Sequence, residues 1–207
     1  MRQSCSYTEV ANPGGGCDGA SGTSRIGPDS RLFDADGHDR AIDIDQEDLA
    51  STDDRRIVWV DIDLDGGASL DPVASVLKLD DRDRRRIEGD TDRPRLMQSV
   101  DRLHLTLEVL EPESDDRDAA LVRREIDLLA GPNLVVTVHH GHVDAIERFH
   151  DGLSAETSFG ALDAGELLSA IVDEVITDYF NLIETVEQRI DRLDQACLLY
   201  TSDAADE

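Results

Sequence analysis

Lysine occurs once in this 207-residue chain, at Lys78, and the 20 Lys+Arg face 47 Asp+Glu for a formal net charge of −27. No basic patch is available to displace counterions from phosphate, which excludes nucleic acid as a partner. Such acidity suits a soluble protein in high salt, or one that meets cations. Cysteine is also scarce. Cys5, Cys17 and Cys197 are odd in number and form no Cys-x-x-Cys pair, so neither a disulfide framework nor a zinc site is indicated and a reducing cytoplasm is expected. The N-terminus lacks the apolar core of a secretory signal. No run of about 18 apolar residues exists, so nothing in the chain is expected to span a membrane. Hydrophobic content is 39%, below the roughly 45–50% of globular chains. The deficit sits mostly in the first 56 residues, and the remainder is long enough to bury a core.

What is present is organised around residues 166–195, which contain no Gly or Pro. Val172, Ile176, Tyr179, Ile183, Val186, Ile190 and Leu193 follow one another at spacings of four and three, a heptad seam on one long helix. Asp163 and Glu166 are placed as N-cap and N3 of a capping box. Leu167, Leu168, Ile171 and Val175 widen the apolar face of the first half. The helix is therefore expected to start packed on a globular body and to leave it as a stalk. The simpler alternative is one amphipathic surface helix of a monomer.

Residues 1–30, with Gly14-Gly15-Gly16 at their centre, cannot bury enough apolar surface to offset ordering entropy and are expected to be disordered. Residues 31–44 read as a hairpin around Asp36-Gly37. Residues 57–64 are a β-branched strand, and Asp71-Pro72 starts a helix with Val73, Val76, Leu77 and Leu79 inward. A charged helix follows at 81–88. A second hairpin pairs 95–100 with 103–111, and a third strand pair, 121–129 with 134–139, crosses the Gly131-Pro132-Asn133 turn. A helix over 144–153 presents Ile146, Phe149 and Leu153 on one face. This order predicts an α/β fold, a mixed sheet covered by helices.

Few residues suggest chemistry. Asp34, Asp36, His38 and Asp39 imitate the opening of a calcium loop, but the twelfth position is Asp45 and the flanks read as strands, so an Asp-Gly turn is the preferred reading. Asp61, Asp63 and Asp65 alternate on one strand face and read as a solvated strand edge. His139, His140 and His142 could bind a transition metal, His140 and His142 sharing a face, but lack a third or fourth partner. A polar strand end is the reading taken. No metal ligand is assigned, no catalytic constellation can be argued, and a non-enzyme is expected.

Four passages together resemble the cytoplasmic domain of the CorA family of magnesium and cobalt transporters, over residues 57–195. They are Trp59-Val60-Asp61-Ile62-Asp63-Leu64; Arg93-Pro94-Arg95-Leu96 with the hairpin after it; Gly131-Pro132-Asn133-Leu134-Val135-Val136-Thr137-Val138; and 167–180, which closes on Asp178-Tyr179-Phe180. The last is the most specific, because an aromatic pair after a doubled apolar-acid pattern is not generic coiled coil. The resemblance implies an α/β/α sandwich over 31–162 and the start of a long stalk helix over 163–196. It also implies a homopentamer through that stalk and Mg2+ or Co2+ as transported or regulatory ion, with no cofactor required for folding.

By the same resemblance the full-length protein sits in the cell membrane with this portion cytoplasmic. The two membrane helices and their Gly-Met-Asn signature are expected beyond the chain, so the fragment alone would not conduct ions. Residues 197–207 break the seam and resemble translated adapter read-through, a non-native tail. The family often carries acids, one of them in an inter-subunit magnesium sensor, where this chain has Arg84-Arg85-Arg86-Ile87-Glu88. A guanidinium cannot ligate Mg2+, which puts that sensor in doubt. The alternatives are a zinc-transporter relative of the same architecture and a soluble acidic interaction module with no transport role.

Overall fold

The computed structural model describes residues 28–36, 39–44, 55–89, 93–113, 119–153 and 163–203, with side chains to Cys197 in the last segment. The readings of the 1–27 stretch, Gly37, His38 and Asp45 lie outside the described residues.

Seven strands form one sheet: β1 (Asp29–Asp34), β2 (Arg40–Ala41), β3 (Arg56–Asp63), β4 (Arg95–Gln98), β5 (Leu103–Pro112), β6 (Leu121–Gly131) and β7 (Leu134–His139). Their spatial order is β2-β1-β3-β7-β6-β5-β4. Every neighbouring pair is antiparallel except β3 and β7, which run parallel from Val58 opposite Leu134 to Asp63 opposite His139. The sheet is thus mixed, as expected. The helices α1 (Asp71–Ala74) and α2 (Asp81–Ile87) cover one face, and α3 (Asp144–Gly152) and α4 (Ala164–Asp203) cover the other.

The period-2 alternation of the strands builds both cores. Val58, Val60 and Ile62 of β3 meet Val73, Leu77 and Ile87 on the α1–α2 side. Ile57 and Trp59 meet Ile146, Phe149, Leu167 and Ile171 on the other. With both faces covered, the first halves of β3 (57–60) and β7 (134–136) are continuous apolar runs, as parallel strands in α/β proteins are. This corrects the reading of Asp61 and Asp63 as a solvated strand edge, since β3 lies between β1 and β7 in the interior of the sheet, whereas Asp65 lies exposed in the turn after it.

Local chemistry explains the joints. The Asp36 N–H donates to Asp34 Oδ1 at 2.9 Å and the Asp34 N–H to Asp39 Oδ1 at 3.0 Å, so these acids close their own turn. The hairpin is lopsided: β1 begins at Asp29 and β2 has two residues. At the β6–β7 turn Asn133 takes a φ of 56°, a left-handed conformation its short side chain tolerates. Asp80 caps α2 by accepting from the Arg82 and Asp83 N–H groups.

The α4 capping box forms as read, with Glu166 N–H donating to Asp163 Oδ1 and Asp163 N–H to Glu166 Oε2. Leu167, Leu168, Ile171 and Val175 are buried against the sheet. The Tyr179 hydroxyl donates to the Glu108 carbonyl, and Arg189 Nη1 donates to the Ala119 carbonyl at 3.2 Å. Beyond the broad first half the seam is exposed, from Ile176 at 45% to Leu193 at 66%, except for the half-buried Tyr179. α4 also runs past 196 to Asp203, because no Gly or Pro stops it and Ala196, Leu198 and Leu199 favour helix. Among the described residues no helix is long and apolar enough to cross a membrane.

Candidate functional site

Parallel pairing of β3 with β7 brings the two polar motifs of the sequence to one end of the sheet. Asp61 sits opposite Thr137 and Asp63 opposite His139. The Thr137 hydroxyl accepts from Trp59 Nε1–H at 3.2 Å and donates to Asp61 Oδ1. His139 Nε2 lies 3.2 Å from the same carboxylate, and its Nδ1 donates to the Gly141 carbonyl at 2.6 Å. Gly141 has a φ of 68°, open to glycine without strain, and its N–H donates to Asp63 Oδ1 at 2.8 Å. His140 pairs with Asp65 at 3.0 Å. His142 lies between Asp144 (2.6 Å) and Glu147 (2.7 Å), and His150 meets Asp29 at 3.1 Å. A cleft of about 260 Å³ opens here, lined by Asp29, Asp61, Ile146, Glu147, His150 and Asp151.

The electrostatics follow from these pairs. Burial disfavours charge on His139, but Asp61, the Gly141 carbonyl and Asp63 outweigh it and raise its pKa above the usual histidine value. Asp144 raises that of His142, against a burial penalty and with help from Glu147. Asp29 does the same for His150. Burial opposes charge on Asp63 too, yet the N–H groups of Gly141, Gly66 and Asp65 and the nearby His139 hold its pKa low.

A histidine whose folded pKa is raised stabilises the fold while charged. That contribution is full below the unfolded value, about 6.5, and is lost as pH rises through the folded value. Stability in urea is therefore expected to fall as pH rises above about 6.5, and His150→Gln should flatten part of that slope. Midpoints measured across the range check this; a midpoint rising with pH would contradict it.

Each imidazole is thus engaged by a carboxylate rather than converging on a common point. Among the described residues no group of three or more His, Cys, Asp or Glu is placed to hold a metal ion. His140 and His142 are both exposed and face separate acids.

Arg84 pairs with Asp71 at 2.6 Å, Arg86 Nη1 reaches Met97 Sδ, and Arg85 is exposed.

Two polar clusters escaped the sequence reading. On the α1–α2 side, His104 Nε2 lies 2.5 Å and Thr106 Oγ1 2.7 Å from Asp127 Oδ1, all three buried. The signal was the polar half of the β5 alternation, which lies inside because helices cover both faces. At the far end of β5, Glu111 accepts the Asp144 N–H at 2.7 Å and faces Arg124 at 3.3 Å. Burial pushes its carboxyl pKa up. Glu111 lines a groove of about 170 Å³ under α4 together with Asp178 and Arg189. Arg148 of α3 closes on Asp178 and lies 3.8 Å from Glu174, tying α3 to α4.

The candidate surfaces are therefore two: a histidine–carboxylate end of the sheet, and the outward stripe of α4. The family model described as CorA-like Mg2+ transporter protein matches residues 54–206. No curated protein matches the sequence. Among solved structures, the complete CorA magnesium transporter from Methanocaldococcus jannaschii is similar with a TM-score of 0.61 at 20% identity, covering 83% of this chain and 51% of that one. The full-length CmaX protein is similar with a TM-score of 0.61 at 15% identity, over 81% of this chain and 50% of that one. The ZntB cytoplasmic domain from Vibrio parahaemolyticus RIMD 2210633 is similar with a TM-score of 0.59 at 12% identity, over 80% and 65%. The chain spans about half the length of the CmaX and CorA chains it matches. At these identities the likeness is one of fold.

Proposed function

Because the chain belongs to the CorA-like Mg2+ transporter protein family, we propose that it is the cytoplasmic sensing and assembly part of a divalent-cation transporter. In this reading Mg2+ or Co2+ is cargo and regulator, and the whole protein sits in the cell membrane. Residues 31–162 form the body and 163–196 the start of a stalk that joins five copies. The role is transport and not catalysis.

The observation that carries the reading is the change of character along α4. Leu167, Ile171 and Val175 are buried, whereas Ile176, Ile183, Val186, Ile190 and Leu193 of the seam are exposed, with Phe180 exposed beside them. An apolar stripe of this length at heptad spacing seeks partner helices. Glu184, Glu187, Asp191 and Asp194 run beside it against Arg189 and Arg192, so copies brought together repel until cations or salt relieve them. The likeness to the ZntB cytoplasmic domain supports the second reading, in which zinc is the ion.

Sedimentation velocity of the chain tests this with EDTA, with millimolar Mg2+, and with monovalent salt of matched ionic strength. Association is expected to rise with Mg2+ and with salt, and Ile183→Asp with Ile190→Asp should abolish it. Mg2+ exceeding matched salt indicates specific acidic sites, whereas equality indicates screening. A monomer in all three conditions overturns the assembly reading. Repeating the series with Zn2+ separates the two ions.

A further inference from the structure

Two polar contacts join β1 to the end of α3. His150 Nε2 meets Asp29 Oδ2 at 3.1 Å, and Arg31 Nη1 donates to the Leu153 carbonyl at 2.9 Å. On either side of this turn the chain is anchored in the core, by Ile146 and Phe149 before it and by Leu153 after it. Between the anchors Asp151 and Gly152 are exposed, and a β carbon on Gly152 would have no neighbour within 4 Å. The turn therefore has room to move between fixed points.

His150 is placed to decide whether it does. Its ring lies 5.9 Å from that of Trp59, and it lines the cleft at this joint with Asp29, Asp61, Glu147 and Asp151. Asp29 and Asp61 belong to the strands β1 and β3, Glu147 and Asp151 to α3. Among the described residues lining the cleft, His150 alone can carry positive charge. Arg31 of β1 also acts on it, and Asp61 is shared with His139 of β7. Asp29, helped by Asp61, favours the imidazolium against its burial and against Arg31. An imidazolium in the last turn also offsets the partial negative charge of a helix C-terminus. Loss of the proton removes these attractions together. Acids of the strands then face acids of the helix across the cleft, and like charges repel. Arg31 and the buried Phe149 and Leu153 still hold the rest of α3.

We propose that the last turn of α3 is a pH-operated latch, docked on β1 while His150 is protonated and released from the sheet when it is not. Release widens the cleft and leaves both cores intact. Every group involved belongs to one copy, so the latch is independent of the assembly reading.

Amide hydrogen exchange of the full chain at about pH 6 and about pH 8, each corrected for the intrinsic rate, tests it. The Leu153 N–H, which donates to the His150 carbonyl at 3.3 Å, and the amides of 151 and 152 should lose protection several-fold at the higher pH. Amides of β7, paired on both sides, open only with the whole fold and should lose less. His150→Lys stays charged at both values and should keep the turn closed at both. Asp29→Asn should lower the pH at which the His150 ring titrates by NMR, and shift the opening with it. Circular dichroism checks that both variants fold. Equal loss in the turn and in β7 overturns the latch, because the opening is then global. Protection of the turn that ignores pH overturns it as well. So does a His150→Lys chain that opens as the unaltered one does, or an Asp29→Asn chain with an unchanged His150 midpoint.

Discussion

Trp59→Ala should cost about 3–5 kcal/mol, a large share of the roughly 5–15 kcal/mol that holds a domain folded. Three losses combine. Trp59 is 2% exposed at the centre of the α3–α4 core, so truncation leaves a large cavity between β3 and those helices. Its ring stands edge-on to Phe149, with centroids 5.1 Å apart, a contact alanine cannot make. Its indole N–H is the donor to Thr137, whose own proton goes to Asp61. Trp59→Phe should keep most of the packing and lose that donor, for about 1–2 kcal/mol. Urea titrations followed by circular dichroism separate the two variants. A midpoint for Trp59→Ala within error of the unaltered chain would show that the core does not close over this residue. Trp59 is the chain's one tryptophan, so its fluorescence in the unaltered protein reports on this core alone.

Asp127→Ala should cost about 2–4 kcal/mol through a different cause. Nothing large is removed. The change strips the acceptor from His104 and Thr106, both fully inside the α1–α2 side, and a buried donor without an acceptor bears its whole desolvation penalty. Replacing all three together, His104→Leu with Thr106→Val and Asp127→Leu, should be far less damaging, because no polar group is then stranded. Chemical denaturation of the single and triple variants decides it. A triple variant as unstable as Asp127→Ala would assign the loss to shape and not to the stranded donors.

The elements were legible where local chemistry determines them. Alternation in 103–111, the Gly131-Pro132-Asn133 turn, and the Asp163–Glu166 cap each depend on residues within a few positions of one another. Pairing between β3 and β7 was not legible, because parallel neighbours meet through residues far apart in the chain. The consequence is that Asp61 and Asp63 read as solvated although they are part-buried, and that they and the exposed Asp65 read as separate from His139 and His140, which Asp61 and Asp65 face. The buried His104–Thr106–Asp127 cluster was hidden for the same reason. A polar strand face reads as outward until it is known that helices cover both faces of the sheet. For the seam of α4, periodicity predicted which residues line up, and the structure added which of them stay exposed.

The β3–β7 register also governs the order in which the molecule can assemble. Asp61 and Thr137 meet across 76 residues of chain, and closing a loop of that length costs about 4 kcal/mol in entropy before any contact is gained. The strands β4 to β7, by contrast, form a meander with short-range pairings. Topology of this kind favours early formation of the meander and late docking of the β1–β3 ribbon. Until that ribbon arrives, β7 is an open strand edge carrying Val135, Val136 and Val138, so the middle of the finished sheet is the most adhesive site of the nascent one.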